Sequence, residues 1–340
     1  MPTTEERLAA LPCFAGKEPK VAPCSAMKEY LGMGDGRTNH NFIVTLADAS
    51  RYFVRVGLDL PCYGVTRPKE HAACRAVAAS GVGAAVVYSE LPDVLVTKFV
   101  AGRALTNDQL LAATGGDDPK LLAALAQTLR ELHATPLPAE MPPPATPTWA
   151  PPDLALWIAY ARLKGFSRLP LLEGVDDMLQ RVESVATECG EAPPACFCHF
   201  DLLSDNFVFD AATSGVTVVD FEYAAAGQWR MDLAILSMGC ALDLEADAVL
   251  LAAYLGVESC PDEELRRFAA LKVLGTLRET LWGVVAEVSG TAAMPPEQAE
   301  EYSNQNYAKF LVAWQAFSDS EQAWAQHGER EAAEKAAAKK

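Results

Sequence analysis

Four polar residues within the segment 199–220 have the types and spacing that a phosphoryl transfer site requires. Asp201 lies two residues after His199, Asn206 lies five residues after Asp201, and Asp220 ends the next apolar run. We expect a short strand, a loop and a hairpin to bring Asp201, Asn206 and Asp220 to one edge. A carboxylate there can orient and deprotonate an attacking hydroxyl, and the amide and carboxylate oxygens suit Mg²⁺ on nucleotide phosphates. The alternative is a β-hairpin flanked by solvated acids, because the HxDxxxxN spacing also arises by chance.

A glycine-dense turn and an arginine in a strand are candidates for binding those phosphates. Gly34 and Gly36 let backbone amides approach a phosphate, although a plain hairpin turn has the same composition. Thr38 and Asn39 add side-chain donors next to the turn. Arg55 lies in the middle of the strand-like run RYFVRVG, where an inward guanidinium needs an anionic partner and an exposed one does not. No Gly-Lys-Ser/Thr follows the turn, so it is not a Walker A loop.

The elements around these residues predict an α+β chain. Alternating apolar runs predict a small, mainly antiparallel sheet in the first hundred residues, with one helix over 67–80. Beyond residue 103 the apolar spacing becomes helical, and short strands are predicted only around 196–220. The proline-dense stretch 135–152 is typical of an extended surface connection.

Length, charge and cysteine content restrict the class of protein. The chain has 340 residues, which favours two lobes or domains, and a formal net charge of −17, which disfavours nucleic-acid binding. No apolar run approaches the ~18 residues of a membrane span, and the acidic N-terminal segment is unlike a secretory signal. Nine cysteines without a CxxC pair disfavour a disulfide framework and a zinc site. We therefore expect a cytoplasmic protein with no nucleic-acid partner and no membrane insertion.

The order of these parts resembles a eukaryotic-type, protein-kinase-like fold, and in detail the choline/ethanolamine kinase branch of the aminoglycoside phosphotransferase-like family. The resemblance rests on four stretches: GMGDGRTNHNFIV, YFVRVG with a glutamate in the following helix, TKFVAGRALT, and HFDLLSDNF…VVDFEYAAAGQWRMDLA. It implies two lobes, a small antiparallel β N-lobe with one helix and a larger, mainly helical C-lobe. The implied parts are a nucleotide-binding lobe at 1–97, a hinge at 98–104, a catalytic and substrate-binding lobe at 105–328 and a charged tail at 329–340.

The same resemblance implies roles for individual residues. Asp201 is the catalytic base, Asn206 and Asp220 hold Mg²⁺, and Arg55 contacts the ATP phosphates. The residues further implied in ATP binding are Gly34, Gly36, Thr38, Asn39, Glu70 as the helix partner of Arg55, and the backbone of Lys98, Phe99 and Val100. His199 and Asp232 are implied to support the catalytic loop. The alternative for Asp232 is an ordinary acid in the first turn of a helix, where the helix dipole favours it.

A second group of residues predicts the acceptor site. Glu279 and Trp282 lie three apart on one predicted helix, and a carboxylate beside an indole suits an ammonium group. The alternative for each aromatic residue is packing in the core. By the resemblance, the substrate-binding set is Asp201, Glu222, Tyr223, Trp229, Glu279, Trp282 and Tyr302. Glu279 and Phe221 stand where choline kinases usually carry tryptophan, which favours a smaller amine such as ethanolamine.

Together these features predict a kinase that uses ATP and Mg²⁺ to phosphorylate the hydroxyl of choline, ethanolamine or a related amino-alcohol, a step of phospholipid precursor metabolism. An aminoglycoside or sugar kinase of the same fold is the alternative, favoured if polar acids rather than aromatic residues line the acceptor pocket. A non-catalytic nucleotide-binding pseudokinase is the alternative of another class. A hydrolase is disfavoured because no GxSxG nucleophile elbow is present. The sequence leaves open the identity of the acceptor and the choice between a monomer and a homodimer.

Overall fold

The N-terminal part of the chain forms a five-stranded antiparallel sheet. In this computed structural model the described residues are 2–27, 38–290 and 294–337. The strands are β1 (Lys20–Pro23), β2 (His40–Thr45), β3 (Arg51–Val56), β4 (Val86–Glu90) and β5 (Val94–Lys98), in the order β1-β2-β3-β5-β4. β2 and β3 form a hairpin whose turn is closed by the Ser50 N–H, which donates to the Asp48 carboxylate at 2.9 Å. The antiparallel sheet predicted from the alternating runs is confirmed.

Two helices accompany this sheet. Helix α1 (Thr4–Ala9), which the sequence analysis did not predict, begins with a capping box between Thr3 and Glu6. Helix α2 (Arg67–Ala79) has a proline in its first turn, as predicted. The turn before α2 places Tyr63 in the core of the helical part of the chain. The five strands with α1 and α2 are referred to below as the N-terminal lobe.

The remaining elements form the mainly helical C-terminal lobe. Its helices are α3 (Asn107–Thr114), α4 (Pro119–His133), α5 (Pro152–Leu163), α6 (Val175–Glu188), α7 (Trp229–Gly239), α8 (Leu244–Leu255), α9 (Asp262–Ser289) and α10 (Pro296–Ala337). Its short strands are β6 (Arg103–Ala104), β7 (Cys196–Cys198), β8 (Phe207–Asp210), β9 (Gly215–Val218) and β10 (Ala225–Gly227). β6, β8 and β9 form one sheet, and β7 pairs with β10.

Helix α9 is the centre of the C-terminal lobe. It is apolar on most of its sides, and α5, α6, α7 and α10 all pack against it. Leu274, Leu277, Leu281 and Val285 of this helix are fully buried. Because the segment 278–282 of α9 also carries polar residues of the site, the packing of this helix fixes their positions.

Two segments differ from the sequence predictions. The proline-dense stretch between α4 and α5 has no regular structure, as expected, but its Met141 and Trp149 are buried in the core. It is therefore not a surface connection throughout, because apolar side chains among the prolines pack inward. Helix α10 continues to Ala337, through the start of the expected tail at 329. Among the described residues, no helix is long and apolar enough to cross a membrane.

Candidate active site

Asp201 and Asn206 lie in the loop between β7 and β8. A 3₁₀ turn over Ser204–Asn206 returns the chain towards Asp201. The Asn206 Nδ2 donates to the Asp201 carbonyl oxygen at 2.6 Å and to its carboxylate at 3.4 Å. Burial raises the pKa of the Asp201 carboxyl well above its usual range, while Arg278 opposes the rise and Glu279 adds to it. The loop thus holds a carboxylate whose surroundings favour its acceptance of a proton.

Asp232 and His199 support this loop from behind. The Asp232 carboxylate accepts the backbone N–H groups of His199 and Phe200 at 2.7 and 2.8 Å. The His199 Nε2 donates to the Val219 carbonyl at 2.9 Å, and its Nδ1 accepts the Asp201 N–H at 3.2 Å. Since a carbonyl can only accept, these bonds define one neutral tautomer, and burial lowers the pKa of His199 in the same sense. The backbone of Asp201 is therefore fixed on both sides.

Arg55 joins the sheet to the segment after β9. It is buried in β3, where its Nη1 donates to Glu70 of α2 at 2.5 Å. Its Nη2 lies 2.8 Å from the carboxylate of Asp220, whose backbone has a φ of +68°. Burial alone would lower the pKa of Arg55, but Asp220 and Glu70 outweigh it and raise the pKa well above its usual value. A guanidinium is thus held in the cleft as a permanent cation.

The oxygen atoms near Asp220 fit a magnesium ion. Asn206 and Asp220 line the same cleft and offer amide and carboxylate oxygens, the ligands that Mg²⁺ prefers. The Asn206 nitrogen is already bonded to Asp201, which leaves the Asn206 carbonyl oxygen as its ligand atom. Arg55 occupies one side of the Asp220 carboxylate only. Both residues are therefore suitable ligands, and their metal-binding role stays a prediction.

A cleft of about 410 Å³ between the two lobes collects most of the predicted site residues. Those that line it are Thr38, Arg55, Lys98, Phe99, Val100, Asp201, Asn206, Asp220, Glu222, Tyr223, Glu279, Trp282 and Tyr302. Asn39 and Glu70 lie directly behind the lining, bonded to Glu222 and Arg55. The predicted Gly34 and Gly36 lie outside the described residues.

The end of the cleft next to β5 is apolar, as the site of a base ring should be. Its apolar lining comprises Phe53, Val77, Ala84, Leu95, Val208 and Val218. The backbone N–H groups of Lys98 and Phe99 donate to the carbonyls of Ala85 and Arg51 at 2.8 and 3.1 Å. An adenine bound at this predicted hinge must therefore use other backbone groups, such as those of Val100.

The opposite end of the cleft places a carboxylate among aromatic rings. Glu279 accepts a hydrogen bond from the hydroxyl of Tyr302. The rings of Trp282 and Tyr302 lie 5.3 Å apart, and the Trp282 Nε1 donates to the Tyr223 hydroxyl at 2.8 Å. Tyr63, which the sequence analysis missed, is buried in the core and packs against Trp282 with ring centroids 5.5 Å apart. This arrangement combines a negative charge with aromatic faces, as an ammonium site requires.

Glu222 is engaged differently from its predicted acceptor role. Its carboxylate accepts the Thr38 hydroxyl at 2.6 Å and the Asn39 Nδ2 at 2.8 Å, and the Arg67 Nη1 lies 3.6 Å away. Burial, with the charge of Asp220 adding to it, raises the pKa of Glu222 to about 6. Residues of the N-terminal lobe thus occupy the carboxylate that was expected to face the acceptor.

Trp229 lies away from the residues that line the cleft, and its predicted place in the acceptor site stays a prediction. Its ring stacks on Tyr254 of α8 with centroids 4.4 Å apart, and the Arg230 guanidinium lies 4.1 Å from the centroid of the Trp229 ring. It is not among the described residues that line the cleft. The physical reason is that the start of α7 packs its aromatic side chain against α8.

The sequence analysis missed Arg278, which lines the cleft together with Glu279 and Trp282. Its Nε and Nη2 donate to the carboxylate of Asp153 at 2.9 and 2.7 Å. Its guanidinium lies 4.8 Å from the ring of Trp157 and 5.1 Å from that of Tyr223. The available signal was a charged residue directly after Leu277, a member of the apolar stripe of this helix, but nothing in the sequence indicated Asp153 as its partner.

Comparison with known proteins places this geometry in a family. Residues 29–271 match the family model described as APH, phosphotransferase enzyme family. The chain is 26% identical over 176 residues to "Probable choline kinase 3" of Arabidopsis thaliana, a match of 51% of this chain and 49% of the relative. The chain therefore spans about half the length of this curated relative.

Solved structures share the fold. A choline/ethanolamine kinase family protein from Mesorhizobium loti has a TM-score of 0.66 at 23% identity, covering 90% of this chain and 92% of that chain. The structure of LicA in complex with AMP has a TM-score of 0.63 at 16% identity, covering 92% of this chain and 97% of that chain. These similarities confirm the predicted two-lobed, protein-kinase-like fold.

Proposed function

Because the chain belongs to the APH phosphotransferase enzyme family, we propose that it is a small-molecule kinase acting on a small amino-alcohol. In this proposal the γ-phosphate of ATP is transferred to the hydroxyl of ethanolamine, choline or a related compound. The main observation behind this proposal is that the Glu279 carboxylate lies beside Trp282 and Tyr302 in the same cleft as Asp201. Relatives named as choline or choline/ethanolamine kinases support the acceptor class, and the AMP complex of LicA supports an adenine nucleotide.

The acceptor end favours a compact cation. Moving an ammonium ion out of water is expensive unless a carboxylate and polarisable ring faces replace its hydration. Glu279 supplies the charge, and Tyr223, Trp282 and Tyr302 supply the faces. Only one indole lines the described part of this end, so the apolar contact available to a trimethylated ammonium is limited. This supports ethanolamine or another lightly methylated amine as the better fit.

The catalytic step follows from the groups on the loop and the sheet. Asp201 orients the acceptor hydroxyl and takes up its proton as the oxygen attacks the γ-phosphorus, while the bond from that phosphorus to the β–γ bridging oxygen breaks and ADP leaves. Arg55, held by Glu70 and Asp220, offsets negative charge on the phosphates. Mg²⁺ on Asn206 and Asp220 would supply further charge neutralisation when bound. Asp232 keeps the Asp201 backbone in place through the N–H groups that it accepts.

The proposal is tested by Mg²⁺-dependent release of ADP from ATP. The panel contains choline, ethanolamine, the methylated ethanolamines, thiamine, a hexose and an aminoglycoside, with Asp201→Asn as control. Selective turnover of one amino-alcohol, abolished in Asp201→Asn while ATP binding persists, is the expected result. Preferential turnover of the hexose or the aminoglycoside would show that the acceptor is not an amino-alcohol and would favour a sugar or aminoglycoside kinase. Silence across the panel with ATP still bound would favour a pseudokinase, and turnover retained in Asp201→Asn would overturn the mechanism.

A further inference from the structure

We propose that Glu222 is a positioning residue for the nucleotide end of the cleft, where it holds Thr38 and Asn39 against the C-terminal lobe. It thereby acts on the phosphates through these two residues and does not bind the acceptor. This inference rests on the proposed kinase function, since it assigns a part in nucleotide binding. It replaces the acceptor role that the family resemblance implied for Glu222.

Both oxygens of the Glu222 carboxylate are already in use. Oε1 accepts the Thr38 hydroxyl at 2.6 Å, and Oε2 accepts the Asn39 Nδ2 at 2.8 Å. The Arg67 Nη1, 3.6 Å from Oε2, partly offsets the charge. Glu222 and Asn39 are only 4% and 5% exposed, so water screens these contacts little. An acceptor ammonium would have to displace partners that already satisfy the carboxylate.

The two residues that Glu222 holds stand at the start of β2. Thr38 lines the cleft, and the strand that follows places Asn41, another lining residue, opposite Arg55 in the β2–β3 register. The position of this strand end therefore sets where side-chain donors meet the phosphates relative to Arg55. A carboxylate from the segment after β9 fixes that position across 184 residues of sequence.

The Asn39 side chain packs directly against the Cα of Gly57, where only a glycine leaves room for it. A Cβ built at Gly57, after β3, would lie 2.1 Å from the Asn39 Oδ1 and 3.2 Å from the Arg67 Cζ. Glycine at position 57 is therefore needed for Asn39 to reach Glu222. This observation is independent of the hydrogen bonds and gives a second way to disturb the same contact.

Asp220 and Glu222 each contact a different group of residues in the N-terminal part of the chain. Asp220 contacts Arg55 at 2.8 Å, and two residues later Glu222 contacts Thr38 and Asn39. One short segment of the C-terminal lobe thus anchors two separate groups of the N-terminal lobe. The carboxylate proposed for the acceptor, Glu279, comes from α9 and accepts the hydroxyl of Tyr302.

The test is a double-mutant cycle of Glu222→Gln and Thr38→Val. Glu222→Gln removes the charge and one of the two acceptor oxygens, so the side chain can no longer accept from both the Thr38 hydroxyl and the Asn39 Nδ2. In Thr38→Val the hydroxyl donor is lost at nearly constant volume. Nucleotide affinity is measured by calorimetry with ADP and with a non-hydrolysable ATP analogue, which needs no acceptor. Each single variant should weaken nucleotide binding about tenfold, and the double variant should lose little more than either one, because the two changes break one contact.

Two controls complete this design. Thr45→Val, at the far end of β2 and outside the cleft, should leave nucleotide affinity unchanged. Gly57→Ala should weaken nucleotide binding like Glu222→Gln, and it keeps the proposal testable if Glu222→Gln does not fold. Once an acceptor is known, its KM should change less than twofold in Thr38→Val and Glu222→Gln.

Three results would overturn the proposal, and none depends on the acceptor being an amino-alcohol. A raised acceptor KM with unchanged nucleotide affinity in Glu222→Gln would return Glu222 to the acceptor site. A higher Mg²⁺ requirement in Glu222→Gln but not in Thr38→Val would make Glu222 a metal ligand. Losses that multiply in the double variant would show that Glu222 and Thr38 act independently. If no acceptor in the panel were phosphorylated, the proposed function would be contradicted. The double-mutant cycle could still be interpreted, because it measures nucleotide binding without an acceptor.

Discussion

The buried ion pair between Asp153 of α5 and Arg278 of α9 allows a sharp test of how the acceptor end is built. Replacing Arg278 by methionine removes three N–H···O contacts of 2.7 to 3.1 Å. It leaves the Asp153 carboxylate, whose side chain is 10% exposed, without its counter-charge. Removing one partner of a buried pair typically costs about 3–5 kcal/mol, whereas replacing both by apolar residues of similar volume is often nearly neutral.

The expected stabilities follow from these numbers. Arg278→Met should lower the free energy of unfolding by about 3–5 kcal/mol. Asp153→Leu combined with Arg278→Met should recover most of the loss, less about 0.5 kcal/mol because Asp153 is an acid in the first turn of α5. Equilibrium urea unfolding of the wild type, both single variants and the double variant measures these differences. A loss below about 1 kcal/mol in Arg278→Met, with an unchanged dependence on urea, would refute the assignment of a buried, energetically coupled pair.

Activity of the double variant separates packing from chemistry. If Arg278 served only to hold α5 on α9, the stable double variant would regain turnover. We expect it to stay at least tenfold less active, because Arg278 lines the cleft with Asp201 and Glu279 and its loss removes a positive charge that acts on both carboxylates. Recovery of both stability and turnover would show that Arg278 is structural.

Three further predictions concern the site and the packing around it. Glu279→Gln should raise the KM of a cationic acceptor about ten- to hundredfold, since a charged hydrogen bond contributes about 1.5–3 kcal/mol. The KM of ATP should change less than threefold. Both constants are measured by steady-state kinetics, and an unchanged acceptor KM would exclude Glu279 from the acceptor site. Asp232→Asn replaces the charged acceptor of two loop N–H groups and should lower kcat at least tenfold, so a normal kcat would show that the loop is held by other contacts. Gly227→Ala places a Cβ 2.2 Å from the Phe200 ring and should destabilise the protein by about 1–3 kcal/mol in urea unfolding, whereas Gly275→Ala, with its nearest atom at 3.8 Å inside a helix, should be neutral or stabilising. Equal effects of these two glycine substitutions would contradict the described packing.

The loop that carries Asp201 and Asn206 was predictable because these residues are close in sequence and their relation is set by local structure. Asp201 and Asn206 are joined by one turn, and the β8–β9 hairpin determines where Asp220 lies. Arg55 was also placed on the correct face, because alternation along a strand fixes which side chains point inward. In these cases a few dihedral angles decide the geometry, so composition and spacing carry enough information.

The residues that sequence reasoning missed or misplaced depend on contacts between distant elements. Glu222 shares a side with Asp220, as two residues in an extended segment should, but its partners Thr38 and Asn39 belong to the other lobe. The position of Trp229 depends on how α7 packs on α8, and that of Arg278 on how α5 packs on α9. No local propensity encodes such pairings, because they result from the close packing of the whole lobe.

Different contacts stabilise each of the two ends of the cleft, and binding measurements on variants can detect this difference. At the nucleotide end, Arg55 and Thr38 come from the N-terminal lobe and are anchored by Asp220 and Glu222 of the C-terminal lobe. The proposed acceptor end has Tyr223, Glu279, Trp282 and Tyr302 of the C-terminal lobe in its lining, and Tyr63 of the N-terminal segment packs against Trp282.

Substitutions that loosen the contact between lobes should therefore weaken nucleotide binding and leave acceptor binding nearly intact. Glu222→Gln should show the largest ratio of nucleotide effect to acceptor effect, and Glu279→Gln the smallest. Substitution of Tyr63, which connects the N-terminal segment to Trp282 of α9, should give an intermediate ratio. Should both variants shift the two affinities by equal factors, the cleft would behave as one cooperative unit, and the separate anchoring of its two ends would be refuted.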